Sequence, residues 1–125
     1  MIVSVNGARN RELTKLLKLA AQSFADRLLS PQLEKNIQVK IKIHDHLEAG
    51  GFCDFEDEGL PNPRSFKIDI CRTRKKIHMF SVLAHEMVHL KLYLDGKTHY
   101  DKHDKTFRKM MFQFNALYGF DRKEL

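Results

Sequence analysis

An alternating stretch near the middle of the chain, "NIQVKIKIH" (residues 36–44), most constrains the fold. β-Branched residues occupy every second position of this stretch, with polar residues between them: Ile37, Val39, Ile41 and Ile43. This period of two is typical of a strand with one buried face and one solvated face. A half-buried strand is stable only beside other strands, so the chain is expected to form a sheet.

Two weaker strand patterns follow this stretch. They are "GGFCDFED" (50–57) and "SFKIDICRT" (65–73), and the turn-rich "EGLPNPR" separates them. Short consecutive strands joined by turns favour antiparallel pairing. We therefore predict a small antiparallel sheet of about three strands.

Three segments have the 3.6-residue period of helices, at about 10–30, 76–95 and 101–118. Asn10 is a suitable cap for the first helix, which ends at Ser30-Pro31, and Gly96 can close the second helix in a left-handed conformation. At 125 residues the chain suffices for one domain. We predict that residues 1–125 form a single α+β domain in which the sheet packs with these helices. The apolar stripes of the first and last helices are Leu13, Leu16, Leu17, Ala20, Ala21, Phe24 and Leu28, and Phe107, Met110, Met111, Phe114 and Leu117.

The middle helix carries the sequence "HEMVH". His85 and His89 lie four residues apart, so their rings lie on the same side of a helix and can bind one metal ion. Glu86 lies near the position that a metal-bound water would occupy, as a general base requires. The apolar residues of the helix gather on another side. This arrangement predicts a helix with a core face and a separate histidine face. The apolar residues of the core face are Phe80, Leu83, Met87, Leu90 and Leu94.

A catalytic zinc site needs a third protein ligand. The extended HExxHxxGxxH pattern is absent, because Leu92 and Asp95 occupy its glycine and third-histidine positions, and Glu124 lies close to the C-terminus. The candidates that remain are His99, His103, Asp95, Asp101 and Asp104. His103 is favoured, because we expect it in the first turn of the last helix with Asp101 as the N-cap.

The order His85-Glu86-x-x-His89, a short glycine-containing loop, and then "HDKTFRKMM" from His103 resembles the SprT-like metalloproteases. That family includes the Spartan proteases, which degrade proteins crosslinked to DNA. Its third zinc ligand opens a motif of the form H-G-x-x-F/W, which His103 and Phe107 match, and "AGGFCDF" and "FKIDI" look like its strands. The resemblance implies a zincin-like fold and Zn²⁺ held by the three histidines. It also implies peptide hydrolysis in which Glu86 accepts a proton from the zinc-bound water.

The chain departs from the family pattern in two places. Asp104 stands at the glycine position of the motif, and the four-cysteine zinc ribbon of many members is missing, because the chain has only Cys53 and Cys71. We expect both cysteines to be free buried thiols. We expect three further histidines to be ordinary surface or strand-end residues: His44, His46 and His78. Candidates for stabilising an oxyanion are Tyr93, His99 and Tyr100, with nothing in the sequence to choose among them.

The formal net charge of +6 and the pI near 9.4 favour an anionic partner, of which nucleic acid is the commonest kind. The resemblance to the SprT-like metalloproteases implies a protein or peptide substrate, and DNA is a further expected partner. No apolar run is long enough for a membrane span, and the N-terminus does not resemble a signal peptide. We therefore expect no membrane partner and a cytoplasmic protein, with a nucleoid-associated or nuclear location as the alternative. The sequence carries no signal for an oligomeric state.

Two alternatives to a DNA-directed protease stay open at this point. One is a basic nucleic-acid-binding module whose zinc is structural or vestigial. The other is a zinc peptidase or hydrolase with no nucleic-acid role, since basic residues also serve solubility.

Overall fold

The computed structural model describes residues 1–47, 51–54 and 64–120. Its elements follow the chain in the order β1 (Ile2–Asn6), α1 (Arg11–Leu28), α2 (Pro31–Lys35), β2 (Ile37–His44), β3 (Gly51–Asp54), β4 (Arg64–Cys71), α3 (Lys76–Leu94) and α4 (Lys105–Tyr118). Helices packed against one mixed sheet confirm the predicted α+β class.

Within the described residues, four strands form one sheet in the order β1-β2-β4-β3. β2 pairs in parallel with both β1 and β4, and only the β3–β4 pair is antiparallel. The prediction of an antiparallel sheet of about three strands is therefore wrong in strand number and in most strand directions. β3, at the edge of the sheet, runs opposite to β4 and therefore also opposite to β2. Strand patterns in a sequence indicate an extended backbone but not the direction of its neighbours.

β1 was not predicted from the sequence, and one predicted strand extends beyond the described residues. β1 shows no alternation of burial, because its three central residues are all half-buried. The predicted strand at 50–57 is represented by Gly51–Asp54, and its remaining residues lie outside the described part of the chain. The turn at 58–64 lies outside it too, apart from Arg64 at the start of β4.

One face of the sheet packs against the helices, while the opposite face is exposed at Lys40, Lys42 and Lys67 but buried at Asp69. The predicted alternation of β2 is confirmed, because its four apolar residues are at most 4% exposed while Lys40 and Lys42 are exposed. α1 contacts β1, α3 contacts β3 and β4, and the two helices contact each other. They therefore form one helical layer on the same face of the sheet, and α4 packs on α3.

α3 occupies the centre of this layer. It is buried on more sides than the sequence predicted, because ten of its residues are buried, including Glu86 and His89. Phe80 and Leu94, assigned to the core face, are only half-buried. The other three residues of the predicted core face are at most 1% exposed, as expected. The histidine side is not a separate solvated face, however, because the sheet, α1 and α4 all contact the helix, so its histidines lie close to the core. In the described residues, no helix has the length and apolarity that a bilayer span requires.

The helix ends follow local capping rules. The Asn10 side chain accepts a hydrogen bond from the Leu13 N–H at 3.0 Å, as expected of an N-cap. Ser30, predicted only as the end of α1, is also the N-cap of the short α2, because its hydroxyl accepts a hydrogen bond from the Leu33 N–H. Gly96 has φ +76°, which confirms the predicted left-handed closure after α3.

α4 begins later than predicted. Its N-cap is Asp104, whose side chain accepts a hydrogen bond from the Phe107 N–H at 3.0 Å, so Asp101 is not the cap. His103 consequently lies just before the helix rather than in its first turn. Phe107, Met111 and Phe114 are buried as predicted, whereas Leu117 is 53% exposed.

Candidate metal centre

Three histidine rings converge beside the middle of α3. His85 and His89 come from successive turns of α3, and His103 comes from the loop before α4. The Nε2 atoms of His85 and His103 are 3.0 Å apart, those of His89 and His103 are 3.2 Å apart, and those of His85 and His89 are 3.3 Å apart. Among the described His, Cys, Asp and Glu side chains, these three alone form a cluster that could hold a metal ion.

The spacing of the three nitrogens fits one small ion. Two imidazole nitrogens bound to zinc at tetrahedral positions, each about 2.05 Å from the ion, are roughly 3.3 Å apart. All three observed separations lie within a few tenths of an ångström of that value. Three unprotonated ring nitrogens at this distance would repel one another through their lone pairs. A cation bound between them, or protons on some of them, removes that repulsion.

The backbone fixes the orientation of His89. Its Nδ1–H donates a hydrogen bond to the Tyr100 carbonyl oxygen at 2.6 Å, which leaves Nε2 with the lone pair that a metal requires. Burial lowers the pKa of His89, and this effect outweighs the opposite influence of the Tyr100 carbonyl. The neutral imidazole is therefore favoured, which is the form that binds metal ions.

Phe107 forms the apolar floor of the cluster. Its ring stacks on those of His89 and His103, with centroids 4.4 and 4.8 Å away and interplanar angles of 23° and 24°. The His85 and Phe107 rings meet edge to face, with their centroids 4.8 Å apart. Because Phe107 is fully buried, it restricts all three imidazoles at once.

Glu86 lies beside the cluster on the side that faces β3. Its side chain is 6% exposed and accepts a hydrogen bond from the Cys53 backbone N–H. Burial raises the pKa of Glu86 to about 7, although the Cys53 hydrogen bond acts in the opposite direction. The carboxyl group is thus largely removed from water and lies one residue after a histidine of the cluster.

Gly51 allows β3 to approach α3 this closely. A Cβ atom at this position would lie 2.4 Å from Val82 Cγ1, 3.1 Å from the Asp69 carbonyl oxygen and 3.9 Å from Glu86 Cγ. A side chain there would therefore force the strand away from the helix. Local sequence patterns did not predict this contact, because it joins two segments that lie far apart in the chain.

A comparison with family models matches residues 13–124 to the SprT-like family. The chain belongs to the SprT-like family. The match spans nearly the whole chain and includes all three histidines, Glu86 and Phe107. Family membership indicates a metalloprotease-type function and metal dependence for this SprT-like protein. A comparison with curated proteins finds no match to it.

The structure separates the alternative third ligands from the cluster. The Asp95 carboxylate pairs with Lys91 at 2.5 Å and Asp104 caps α4, while neither His99 nor Asp101 joins the histidine cluster found among the described residues. Glu124 lies outside the described residues.

The candidate oxyanion residues lie around the loop that holds His103. The Tyr93 and Tyr100 rings contact each other edge to face at 5.0 Å, and Tyr93 also contacts Phe66. The contribution of Tyr100 to the cluster comes from its backbone carbonyl. Side-chain chemistry alone could not indicate this role, because every residue has a carbonyl.

The remaining histidines and the cysteines lie outside the cluster. His44, at the end of β2, is half-buried and its Nε2 lies 2.5 Å from the carboxylate of Asp69, which is 3% exposed. Cys53 and Cys71 are free thiols, as predicted, but both are partly rather than fully buried. Burial raises the pKa of Cys53, and the neighbouring Glu86 acts in the same direction, so the thiol stays protonated.

Proposed function

We propose that this SprT-like protein is a zinc-dependent endopeptidase. The observation that carries the proposal is the convergence of three histidine Nε2 atoms within 3.3 Å of one another beside a buried carboxyl group. Three imidazoles with a fourth position open to water are typical of catalytic zinc sites, whereas structural sites are closed by four protein ligands. When bound, zinc would supply Lewis-acid activation of a water molecule and of the peptide carbonyl.

The residues of the chain would then have distinct roles. His85, His89 and His103 would hold the ion, with the Tyr100 carbonyl and the Phe107 ring fixing the imidazoles. Glu86 would accept the proton of the attacking water and return it to the leaving amine. Its location beside His85 in the sequence, and its shielding by β3, support that role.

β3 offers a place for an extended substrate. It is an edge strand, since its pairing within the described residues is with β4 alone, and Cys53 in this strand contacts Glu86 through its backbone. A peptide that adds to a sheet edge forms main-chain hydrogen bonds, which accept many sequences. We infer a broad preference for unfolded or locally extended protein segments, including those of proteins attached to DNA.

The decisive experiment compares Glu86→Gln with the unaltered protein. Glutamine keeps the size of the side chain and can accept the Cys53 hydrogen bond, but it cannot take a proton. We expect cleavage of an unfolded protein substrate to fall by roughly 10²-fold or more, while one zinc ion per chain stays bound. Glu12→Gln removes a carboxylate that is 73% exposed and serves as the matched control. Undiminished proteolysis in Glu86→Gln would show that Glu86 is not the base.

A second candidate is a nucleic-acid-binding module with a structural or vestigial zinc site. The net charge of +6 favours it. If it were correct, the zinc-loaded protein would bind DNA but would leave unfolded proteins intact under all conditions. Zinc-dependent cleavage that is lost in Glu86→Gln excludes this candidate.

A further inference from the structure

The positive charge of the chain is concentrated in two segments that start helices. Residues 9–18 and 72–76, which we call the basic surface, contain eight Lys and Arg residues and a single acid, Glu12. Asp45 pairs with two of these cations. With Glu12 and Asp45 counted against the eight cations, the net charge of the surface is 8 − 2 = +6. This equals the formal net charge of the entire chain, +6, and the remaining residues are therefore electrically balanced.

Ion pairs and hydrogen bonds hold the two segments together. Arg9 and Arg72 both bind the carboxylate of Asp45, at 2.9 and 3.1 Å. The Arg72 guanidinium also donates to the carbonyl oxygens of Gly7 and Ala8, just before α1. Farther along, Lys76 Nζ lies 3.9 Å from Glu12 Oε1, which joins the first turns of α1 and α3. The basic surface is therefore one surface, although its segments lie far apart in sequence.

Five cations on this surface remain available. Within the described part of the chain, none of them forms an ion pair with an acid, and all are exposed: Arg11, Lys15, Lys18, Arg74 and Lys75. The three on α1 recur at every third or fourth residue, so they form a row about 10 Å long. These three cations of α1, together with Asn10 and Thr14, line an open depression of about 360 Å³.

The backbone adds positive potential to the same surface. α1 and α3 both begin here, so the positive ends of two helix dipoles point towards it. Neither segment contains an aromatic residue. Proteins that bind single strands usually stack bases on aromatic side chains, whereas contacts to a duplex backbone need only cations.

We propose that the basic surface binds the phosphate backbone of duplex nucleic acid without sequence preference. A row of cations with no aromatic residue beside it matches a regular line of phosphates. A membrane surface is less well matched, because interfacial helices bury a broad apolar face. Leu19 and Ile77 are the large apolar residues exposed next to the basic surface in the described structure.

This surface lies close to the metal centre. Lys76 and His85 are nine residues apart on α3, which is roughly 13 Å along the helix axis. A duplex on the basic surface would thus bring its bound proteins near the histidine cluster. That consequence depends on the proposed peptidase function, whereas binding of the duplex does not.

Two variants with equal net charge test the proposal. The first replaces the five available cations with glutamine (Arg11, Lys15, Lys18, Arg74 and Lys75). The second replaces five exposed cations located elsewhere (Lys35, Lys40, Lys42, Arg108 and Lys109). Binding of the zinc-loaded full chain to a fluorescently labelled DNA duplex is measured by anisotropy over a range of salt concentrations. Thermal unfolding verifies that both variants fold, and the pair Lys15→Gln and Arg74→Gln is a milder alternative to the first variant.

For the unaltered protein, five phosphate contacts predict a slope of log K against log salt of about −4.5, or roughly a 500-fold loss of affinity between about 50 and 200 mM salt. We expect the first variant to bind at least tenfold more weakly with a slope near zero, and the second to stay within threefold of the unaltered protein.

Other results would overturn the proposal. Equal losses in both variants would mean that binding follows net charge alone. Salt-independent binding, or binding to phosphatidylserine–phosphatidylcholine vesicles without binding to DNA, would assign the surface to another partner. Cleavage of a short peptide in the absence of DNA is measured in parallel. If it is absent while DNA binding behaves as expected, the peptidase proposal fails and the binding surface remains.

Discussion

Burial of the Glu86 carboxyl group predicts a pH-dependent cost to stability in the metal-free protein. Burial raises the pKa of Glu86 from its ordinary 4.5 to about 7, so the folded state favours the protonated acid. Below pH 4.5 both folded and unfolded states are protonated, and Glu86 has no differential effect. As pH rises from 4.5 towards 7, the unfolded state ionises first and folding loses stability.

The size of this effect follows from the two pKa values of Glu86. The difference between 4.5 and about 7 corresponds to roughly 3 kcal/mol of folding free energy once the pH exceeds both values. Between pH 5 and pH 8, about 2.5 kcal/mol of this cost should develop. Glu86→Gln has no ionisable group and should escape it. We therefore expect the stability of Glu86→Gln relative to the unaltered protein to increase by about 2.5 kcal/mol over that range.

Urea unfolding followed by circular dichroism, in the presence of a chelator at both pH values, measures this difference. Because the two proteins share all their other residues, subtraction removes most of the pH dependence that does not come from Glu86. Glu12→Gln, which makes the same substitution at an exposed position, is measured in parallel as the control. If the relative stability of Glu86→Gln were the same at pH 5 and pH 8, the carboxyl group would not be desolvated as the structure indicates.

Three further changes probe the surroundings of the metal centre. His103→Ala should weaken zinc binding at least tenfold in competition with a chromophoric chelator, because even residues that only orient a ligand contribute tenfold or more; unchanged affinity would place the third ligand elsewhere. Asp104→Ala should cost about 1 kcal/mol in urea unfolding through loss of the α4 N-cap, whereas Asp104→Asn should retain most of that stability; equal losses would exclude a capping role. Gly51→Ala should cost roughly 1–3 kcal/mol, since its Cβ would lie 2.4 Å from Val82 Cγ1. Val82→Ala in the same chain should recover part of that loss, and full additivity of the two changes would contradict the close contact.

Local patterns predicted those parts of the fold that depend on nearby residues. The alternation in β2, the Asn10 cap, the limits of α3 and the left-handed Gly96 all follow from interactions within a few positions along the chain. The helical spacing of His85 and His89 belongs to the same class. These features were predictable because backbone sterics and capping hydrogen bonds act over short distances.

Contacts between distant segments determined the rest. The parallel pairing of β1 with β2 and of β2 with β4 depends on where the chain returns, which alternating residues do not specify. His103 was favoured as the third ligand because a helical position was expected for it. The structure instead puts it in the loop before α4, where its ring meets the two histidine rings of α3.

The sequence by itself therefore determined the α+β class, the residue types of the candidate metal site and the total charge of the protein. Only the tertiary structure brought the third histidine to the other two, buried Glu86 behind Gly51 and gathered the unbalanced cations on one surface. The physical reason is that desolvation and the distance between groups remote in sequence depend on packing, which no local pattern of residues specifies.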